Sequence, residues 1–343
     1  MRLIIITLLL LSFLLCSCQH QTENAIKIDL TQKKTDIRYS EFVDSASYLT
    51  LYSNDSCIIS RVKRLYIDSA YTILSDRSGN GICIFFDNKF QCNIANYGRG
   101  PQEFISITDF CLDKANKHIC IYDIEGGKLL KYNYQGKFVC EYPFRNVMRS
   151  FANIKGKFIC IQAAYLREMQ SGVWTADSNG KFVKVLLPGN SDNVFEMIYP
   201  YYFNYYNDEG ISYYDRYDNK LFFITPDSAH LKYRFDLIPA LPQRLKKRDD
   251  KGLQDYFMLA TCYEFKKYLL LFYGSTEKFY QVLYHKTDST YRVTDNLVND
   301  LLPADTYEVS EHYIDENTLA VELGAQEDDY NLHFQILHIK QQE

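Results

Sequence analysis

Phe85-Phe86-Asp87-Asn88-Lys89-Phe90 reads as two apolar strands joined by a polar turn, and the same phrase returns four more times. Tyr132-Asn133-Tyr134-Gln135-Gly136-Lys137-Phe138 repeats it with a longer turn, and Trp174 to Phe182 turns through Asp177-Ser178-Asn179-Gly180. Phe223 to Leu231 is the fourth instance and Leu283 to Tyr291 the fifth. The residues that resume the return strand are Phe90, Phe138, Phe182, Leu231 and Tyr291, at spacings of 48, 44, 49 and 60. Strands bounded by Asn, Asp, Gly and Ser turns at such a period are the mark of propeller blades, each of four strands.

Each hairpin follows another strand pair. Leu65 to Asp68 and Tyr71 to Asp76 precede the first, while Phe110 to Asp113 and His118 to Asp123 precede the second. A sixth unit starts near Tyr313 and ends at Phe334 to Ile339 with no return strand. The leftover N-terminal stretches, Ile26 to Leu30 and Tyr48 to Leu51, are the candidates to complete it, which would protect edges open to aggregation. The expectation is an all-β chain, a six-bladed β-propeller over residues 26–343 with its last blade closed by N-terminal strand. The longer step of 60 contains Pro239, Pro242 and the charged run Arg244 to Lys251, read as a loop or short helix inserted over 239–258. A turn centred between Ala115 and Asn116 pairs Asp113 with His118 and sets Cys111 opposite Cys120. Contact is expected there but no bond, because opposed Cβ atoms lie about 4.5–5.5 Å apart and a disulfide wants about 3.8 Å.

At the N-terminus, Arg2 precedes a stretch over residues 3–15 that is apolar apart from Thr7 and Ser12, and Leu15-Cys16-Ser17-Cys18 follows. A basic start, a short apolar run and a small residue before the cut describe a secretory signal. The stretch also resembles a bacterial lipoprotein signal, in which Leu15, Ser17 and Cys18 match Leu-x-small-Cys. That implies removal of residues 1–17, acyl chains on Cys18, an anchor linker over 18–25 and attachment to the membrane through lipid. The expected location is the cell envelope, as an outer-membrane lipoprotein, with the periplasmic and surface faces both open. Ordinary cleavage leaving a free Cys18 is the alternative.

Thirty Tyr and twenty-two Phe against one Trp and eight Pro suit pleated, half-buried surfaces. A net charge of -5 excludes the basic footprint of a nucleic-acid binder. Of ten cysteines, eight follow Cys18, mostly within apolar strand patterns such as Ile82-Cys83-Ile84, and read as buried thiols. No CxxC pair and no zinc-ligand spacing occurs, and no metal or cofactor is called for.

Tyr97-Gly98-Arg99-Gly100-Pro101-Gln102-Glu103-Phe104 resembles the Gly-x-Gly-Pro-x-Glu-aromatic motif that ends blade one in six-bladed β-propeller lipoproteins of Gram-negative anaerobes. Gly98, Gly100, Pro101, Glu103 and Phe104 match, with Gln102 where Gly is commoner. Ser40 to Leu51 and Lys128 to Phe138 fit the same pattern. The resemblance covers about residues 26–140 and implies the fold, but scarcely any biochemistry.

Gly98, Gly100 and Pro101 have a structural reading, as a crossing from one blade to the next with Glu103 capping backbone amides. The ligand reading of the same segment rests on Arg99 and Glu103. Asp76 to Asp87 superficially echoes a calcium loop, but a β-turn between strands suits Ile82 to Phe86 better. The aromatic stretch from Tyr199 to Tyr217 supplies Tyr205, Tyr206, Tyr213 and Tyr214, either as blade packing or as rigid stacking surface for a sugar or partner. No GxSxG or HExxH is present. The function expected is therefore a lipid-anchored binding module for a glycan, peptide or envelope protein. The alternative is a hydrolase or lyase on a glycan or peptide, with carboxylates in the central channel as acid and base.

Overall fold

Two short strands, β1 (Ala25–Asp29) and β2 (Ile37–Arg38), a single 3-10 turn at Tyr39–Glu41, and β3 (Val43–Leu51) precede the first blade. Blade one is β4 (Val62–Asp68), β5 (Tyr71–Asp76), β6 (Ile82–Phe86) and β7 (Lys89–Ile94). Blade two is β8 (Asp109–Asp113), β9 (His118–Asp123), β10 (Lys128–Asn133) and β11 (Phe138–Pro143). Blade three is β12 (Ser150–Ile154), β13 (Lys157–Gln162), β14 (Gly172–Ala176) and β15 (Phe182–Pro188). Blade four is β16 (Phe203–Asn207), β17 (Gly210–Asp215), β18 (Lys220–Ile224) and β19 (Ala229–Ile238). Blade five is β20 (Met258–Glu264), β21 (Tyr268–Gly274), β22 (Phe279–His285) and β23 (Tyr291–Thr294), followed by the short β24 (Leu297–Val298). Blade six is β25 (Glu308–Asp315), β26 (Thr318–Leu323) and β27 (Leu332–Ile339), with β3 as its fourth strand. The chain is thus a six-bladed β-propeller, and among the described residues it has no α-helix.

This computed structural model describes residues 25–77, 79, 81–162, 172–189, 203–216, 218–242, 256–275, 277–303, 305–324 and 330–341. The leader, Cys18 and its linker to residue 24, the charged run Arg244 to Lys251, and Tyr199, Tyr201, Tyr202 and Tyr217 lie outside the described residues.

The five quoted hairpins are the third and fourth strands of blades one to five. In the first, Asp87 and Asn88 take φ of 46° and 64°, the left-handed pair that a two-residue hairpin turn needs and that Asn and Asp tolerate. Gly136 and Gly180, at φ of 72° and 82°, serve a second purpose. A Cβ at Gly180 would lie 2.8 Å from the Phe144 ring, and one at Gly136 2.6 Å from Cys92 Sγ, so each turn nestles against its neighbour only without a side chain.

One of the two N-terminal strands does something other than expected. Val43–Leu51 closes blade six against β27, antiparallel from Leu51↔Leu332 to Val43↔Ile339. Ala25–Asp29 instead runs parallel to β19 as a fifth strand on blade four. Its alternation decides this: Ile26 and Ile28 bury beside Phe235 and Leu237, in the core shared by blades four and five. The ten-residue β19 outreaches its five-residue partner β18, leaving an edge for β1 to cover.

Blades pack through aromatic and aliphatic layers, such as Ile84, Phe110 and Ile121 between blades one and two, and Tyr122, Phe151 and Trp174 between two and three. Each such fully buried side chain contributes about 1.5–3 kcal/mol. The expected β8–β9 register holds, with Asp113↔His118 and Cys111↔Cys120 directly opposed. All eight cysteines after Cys18 are free thiols in the structure, and Cys120 hydrogen-bonds Cys111.

Candidate functional site

In a propeller the first strand of every blade lines the axis, so both its faces are enclosed by neighbours. Around the axis, β4, β16, β20 and β25 enclose a cavity of about 90 Å³. Its charged and polar lining includes Lys63, Arg64, Asn204, Thr261, Glu311 and His312, and Tyr66, Phe203, Tyr205 and Tyr263 give it aromatic walls.

Arg64 ties the blades together. Its Nε lies 3.1 Å from Asp109 Oδ1, and Nη2 donates to Asp109 Oδ2 at 3.1 Å and to Ser150 Oγ at 3.0 Å. Nη1 donates to Tyr66 OH at 3.1 Å, and the guanidinium lies 5.4 Å from the Phe203 ring. Asp109 also accepts from Ser150 Oγ at 2.7 Å and from the Phe151 amide at 3.2 Å. One planar cation from blade one thereby engages side chains of blades two, three and four, using the fork geometry that suits Arg to a carboxylate.

The opposite wall is built differently. Glu311 on β25 accepts from the hydroxyl of Tyr39, which arrives from the N-terminal 3-10 turn, and from Tyr263 on β20. Burial outweighs both bonds and pushes its carboxyl up to about 7. Burial raises Glu308 as well, but Glu308 does not line the cavity and its carboxylate accepts from Asn299 Nδ2 at 2.5 Å. On the other face of β25, Ser310 Oγ lies 3.0 Å from His312 Nε2 and donates to Glu322 Oε2 at 2.5 Å. Burial pushes the Glu322 carboxyl up, but the hydrogen bonds from His312 and Ser310 prevail and hold it low.

At the end of β20, the fully buried Glu264 takes Lys286 Nζ at 2.8 Å, Lys232 Nζ and the Ser212 hydroxyl. Burial alone would raise this carboxyl; the two lysine charges outweigh it and lower it. Partial burial lowers Lys286 against the raising effect of Glu264.

The tyrosines named from the sequence divide among several roles. Tyr205 lines the axial cavity, with Lys114 Nζ 4.4 Å from its ring centre. Tyr206 covers the Glu264 cluster, Lys232 Nζ lying 4.6 Å from its ring. Tyr213 packs on Phe222 between blades three and four, and Tyr214 is buried with its hydroxyl 3.2 Å from Thr261 Oγ1. They form no common exposed face.

The glycine-rich motif lies in the connection from β7 of blade one to β8 of blade two, whereas these tyrosines belong to blade four. Glu103 Oε2 accepts from the Gly100 amide at 2.7 Å, and a Cβ at Gly98 would overlap the same carboxylate. Lys128 of blade two donates to Gly100 O at 2.9 Å, and Tyr132 to Gln102 O at 2.5 Å. Gln102 takes φ of 66°, a left-handed position suited to the Gly that the resemblance expects there. Arg99 and Pro101 are exposed on this turn.

Asp76 and Asp87 lie at opposite ends of β6, so they cannot share an ion, and Asp76 Oδ1 accepts from Ser60 Oγ and the Arg61 amide at 3.1 Å. Ser78 and Asn80 lie outside the described residues. No group of three or more metal-ligating side chains occurs among the described residues.

Sequence reasoning missed Arg64, Asp109, Glu311 and His312. For Arg64, Glu311 and His312 the one signal is a charged or polar side chain in mid-strand, within Val62-Lys63-Arg64-Leu65-Tyr66 and Glu308-Val309-Ser310-Glu311-His312, while Asp109 opens its strand and gives none.

Fold and axial cavity together define a closed-ring β-propeller whose inner strands are cross-linked by side-chain polar groups. The family model for a domain of unknown function, DUF4934, matches residues 24–327, and the chain belongs to that family. Its fold is similar to that of a Bacteroides fragilis protein described as exported, with a TM-score of 0.75 and 15% identity over 93% of this chain and 100% of that one. A DUF4221 member from Bacteroides vulgatus is similar with a TM-score of 0.55 and 12% identity, over 87% of this chain and 97% of that one. At these identities the likeness bears on fold alone. No curated protein matches the chain in sequence.

Proposed function

We propose that this protein is a lipid-anchored envelope propeller that binds a macromolecular partner on its surface and carries out no chemistry in its channel. The observation that carries the reading is the size and wiring of the axial cavity. At about 90 Å³ it falls well below the roughly 300–1,000 Å³ of sites that engulf small ligands. Arg64, His312 and Glu311 of its lining each engage a partner in the surrounding blades or N-terminal turn: Asp109, Glu322 and Tyr39. Such groups brace blades and present no open pair of carboxylates to a substrate.

The anchor reading rests on Leu15-Cys16-Ser17-Cys18 after the apolar leader. Cys18→Ser is expected to move the protein from the membrane to the soluble envelope fraction; persistence in the membrane fraction would defeat the anchor. The binding reading is tested by cross-linked pull-down from detergent-solubilised envelopes beside a glycan array. A partner recovered in stoichiometric amount, or a defined glycan retained, is the expected result.

The hydrolase or lyase alternative has one specific support, a Glu311 carboxyl near neutrality that suits a general acid. Turnover of an envelope glycan or peptide by the wild type, lost in Glu311→Gln while the fold survives, would replace the binding reading.

A further inference from the structure

Residues Tyr52 to Arg61 carry the chain from β3, the outermost strand of blade six, to β4, the innermost strand of blade one. The ring closes across this segment. Tyr52 bridges to Lys89 at one end, and Ser60 and Arg61 hold Asp76 at the other. Between them Cys57 turns inward, 2% exposed, into the core shared by blades six and one. Its Sγ lies 2.7 Å from Sγ of Cys83 on β6. Both residues border a partly open cavity of about 160 Å³, lined also by Asp55, Asp76 and Asn93. The hydrogen bond that the two thiols share draws the Cys57 thiol below its ordinary value against the opposing effect of burial and, with burial, raises Cys83. Cys57 is therefore the sulfur that ionises first and attacks.

We propose that Cys57 and Cys83 are a disulfide site, a covalent latch that fastens the ring-closing segment to blade one. Cys57 thiolate attacks the disulfide of a glutathione-class exchange partner and releases one partner thiolate. Cys83 then loses its proton, and its thiolate displaces the second partner thiol from the mixed disulfide. Two S–H bonds break and one S–S bond forms. The partner's S–S bond breaks, its two released thiolates take up the two protons by way of solvent, and it is thereby reduced by two electrons to two thiols. The sulfurs must close by well under an ångström to reach the bonded distance of about 2.05 Å. They stand too near each other to flank a thiolate-bound metal, whose bonds alone run to about 2.3 Å on each side. Cys111 and Cys120 differ, since neither lines this cavity or the axial one.

The inference does not rest on the envelope reading, because the test supplies the oxidant. The purified, reduced full chain is equilibrated with oxidised and reduced glutathione, alkylated under denaturing conditions and peptide-mapped. The expected result is a cross-linked peptide pair holding Cys57 and Cys83, the other cysteines remaining alkylated. Oxidation should raise the melting temperature by about 5 °C, given a closed loop of this length in a chain of this size. The shift should vanish in Cys83→Ala. Alkylation of both Cys57 and Cys83 after oxidation, or a link from either to another cysteine, overturns the site. A Cys57–Cys83 link without thermal shift overturns the latch. The mapping needs only the wild-type chain, so a poorly folding variant leaves the site falsifiable.

Discussion

On the side of the channel formed by blades one to three, a buried charge is kept, because Arg64 has Asp109 at 3.1 Å and Ser150 to complete its fork. On the side formed by blades five and six, Glu311 meets the hydroxyls of Tyr39 and Tyr263, and burial drives its carboxyl up to about 7. The same ring thus carries two remedies for ionisable groups removed from water: a partner of opposite charge, or a proton. The first should be costly to break at any ordinary pH. The second should cost little in acid and become unfavourable as the solution turns neutral.

Asp109→Ala gives the largest expected effect. It leaves Arg64 buried without its carboxylate, a change that typically costs about 3–5 kcal/mol, measurable as a fall in the denaturant midpoint. Replacing both partners by apolar residues, as in Arg64→Met with Asp109→Leu, should recover most of that loss. A double variant no more stable than Asp109→Ala would show that the pair's packing, not its charge balance, matters.

Glu311 gives the next effect, with a pH signature. Its folded-state value lies above the ordinary 4.5, so the folded protein holds a proton that the unfolded chain releases. The contribution is fully favourable below pH 4.5 and is lost as pH rises through about 7. Against wild type, Glu311→Gln should flatten the stability–pH curve across that window, by on the order of 2 kcal/mol after discount for partial exposure. Parallel curves for the two proteins would mean that Glu311 ionises normally. Tyr39→Phe should have the smallest effect, about 1 kcal/mol for one lost hydrogen bond. Because that hydroxyl favours the charged carboxylate, its removal should also move the Glu311 midpoint upward. An unmoved midpoint in a carboxyl-resolved titration would detach Tyr39 from Glu311.

Much of the fold was legible because it is local. Asp87-Asn88 and Asn179-Gly180 mark hairpin turns whatever surrounds them, and a four-residue turn between Asp113 and His118 sets Cys111 against Cys120. The site was not legible for a corresponding reason. Arg64 in Val62–Asp68 and Glu311 in Glu308–Asp315 look like the solvent-facing positions of half-buried strands. Only their place as innermost strands encloses both faces. Their partners are also remote: Asp109 is 45 residues from Arg64, and Tyr39 is 272 from Glu311.

Alternating apolar residues, turn residues with left-handed freedom and a repeating interval are enough, taken alone, to specify five four-stranded sheets and an incomplete sixth, since each depends on interactions within a few residues. Tertiary structure decided what requires the closed ring. Ala25–Asp29 and Val43–Leu51 are both short amphipathic strands, yet one joins blade four in parallel and the other closes blade six. The choice falls to whichever open edge and matching core the finished ring presents. Closure likewise brings Arg64 to Asp109, Tyr39 to Glu311 and Cys57 to Cys83. Contacts between distant segments form only after loop entropy has been overcome by the packing of all six blades.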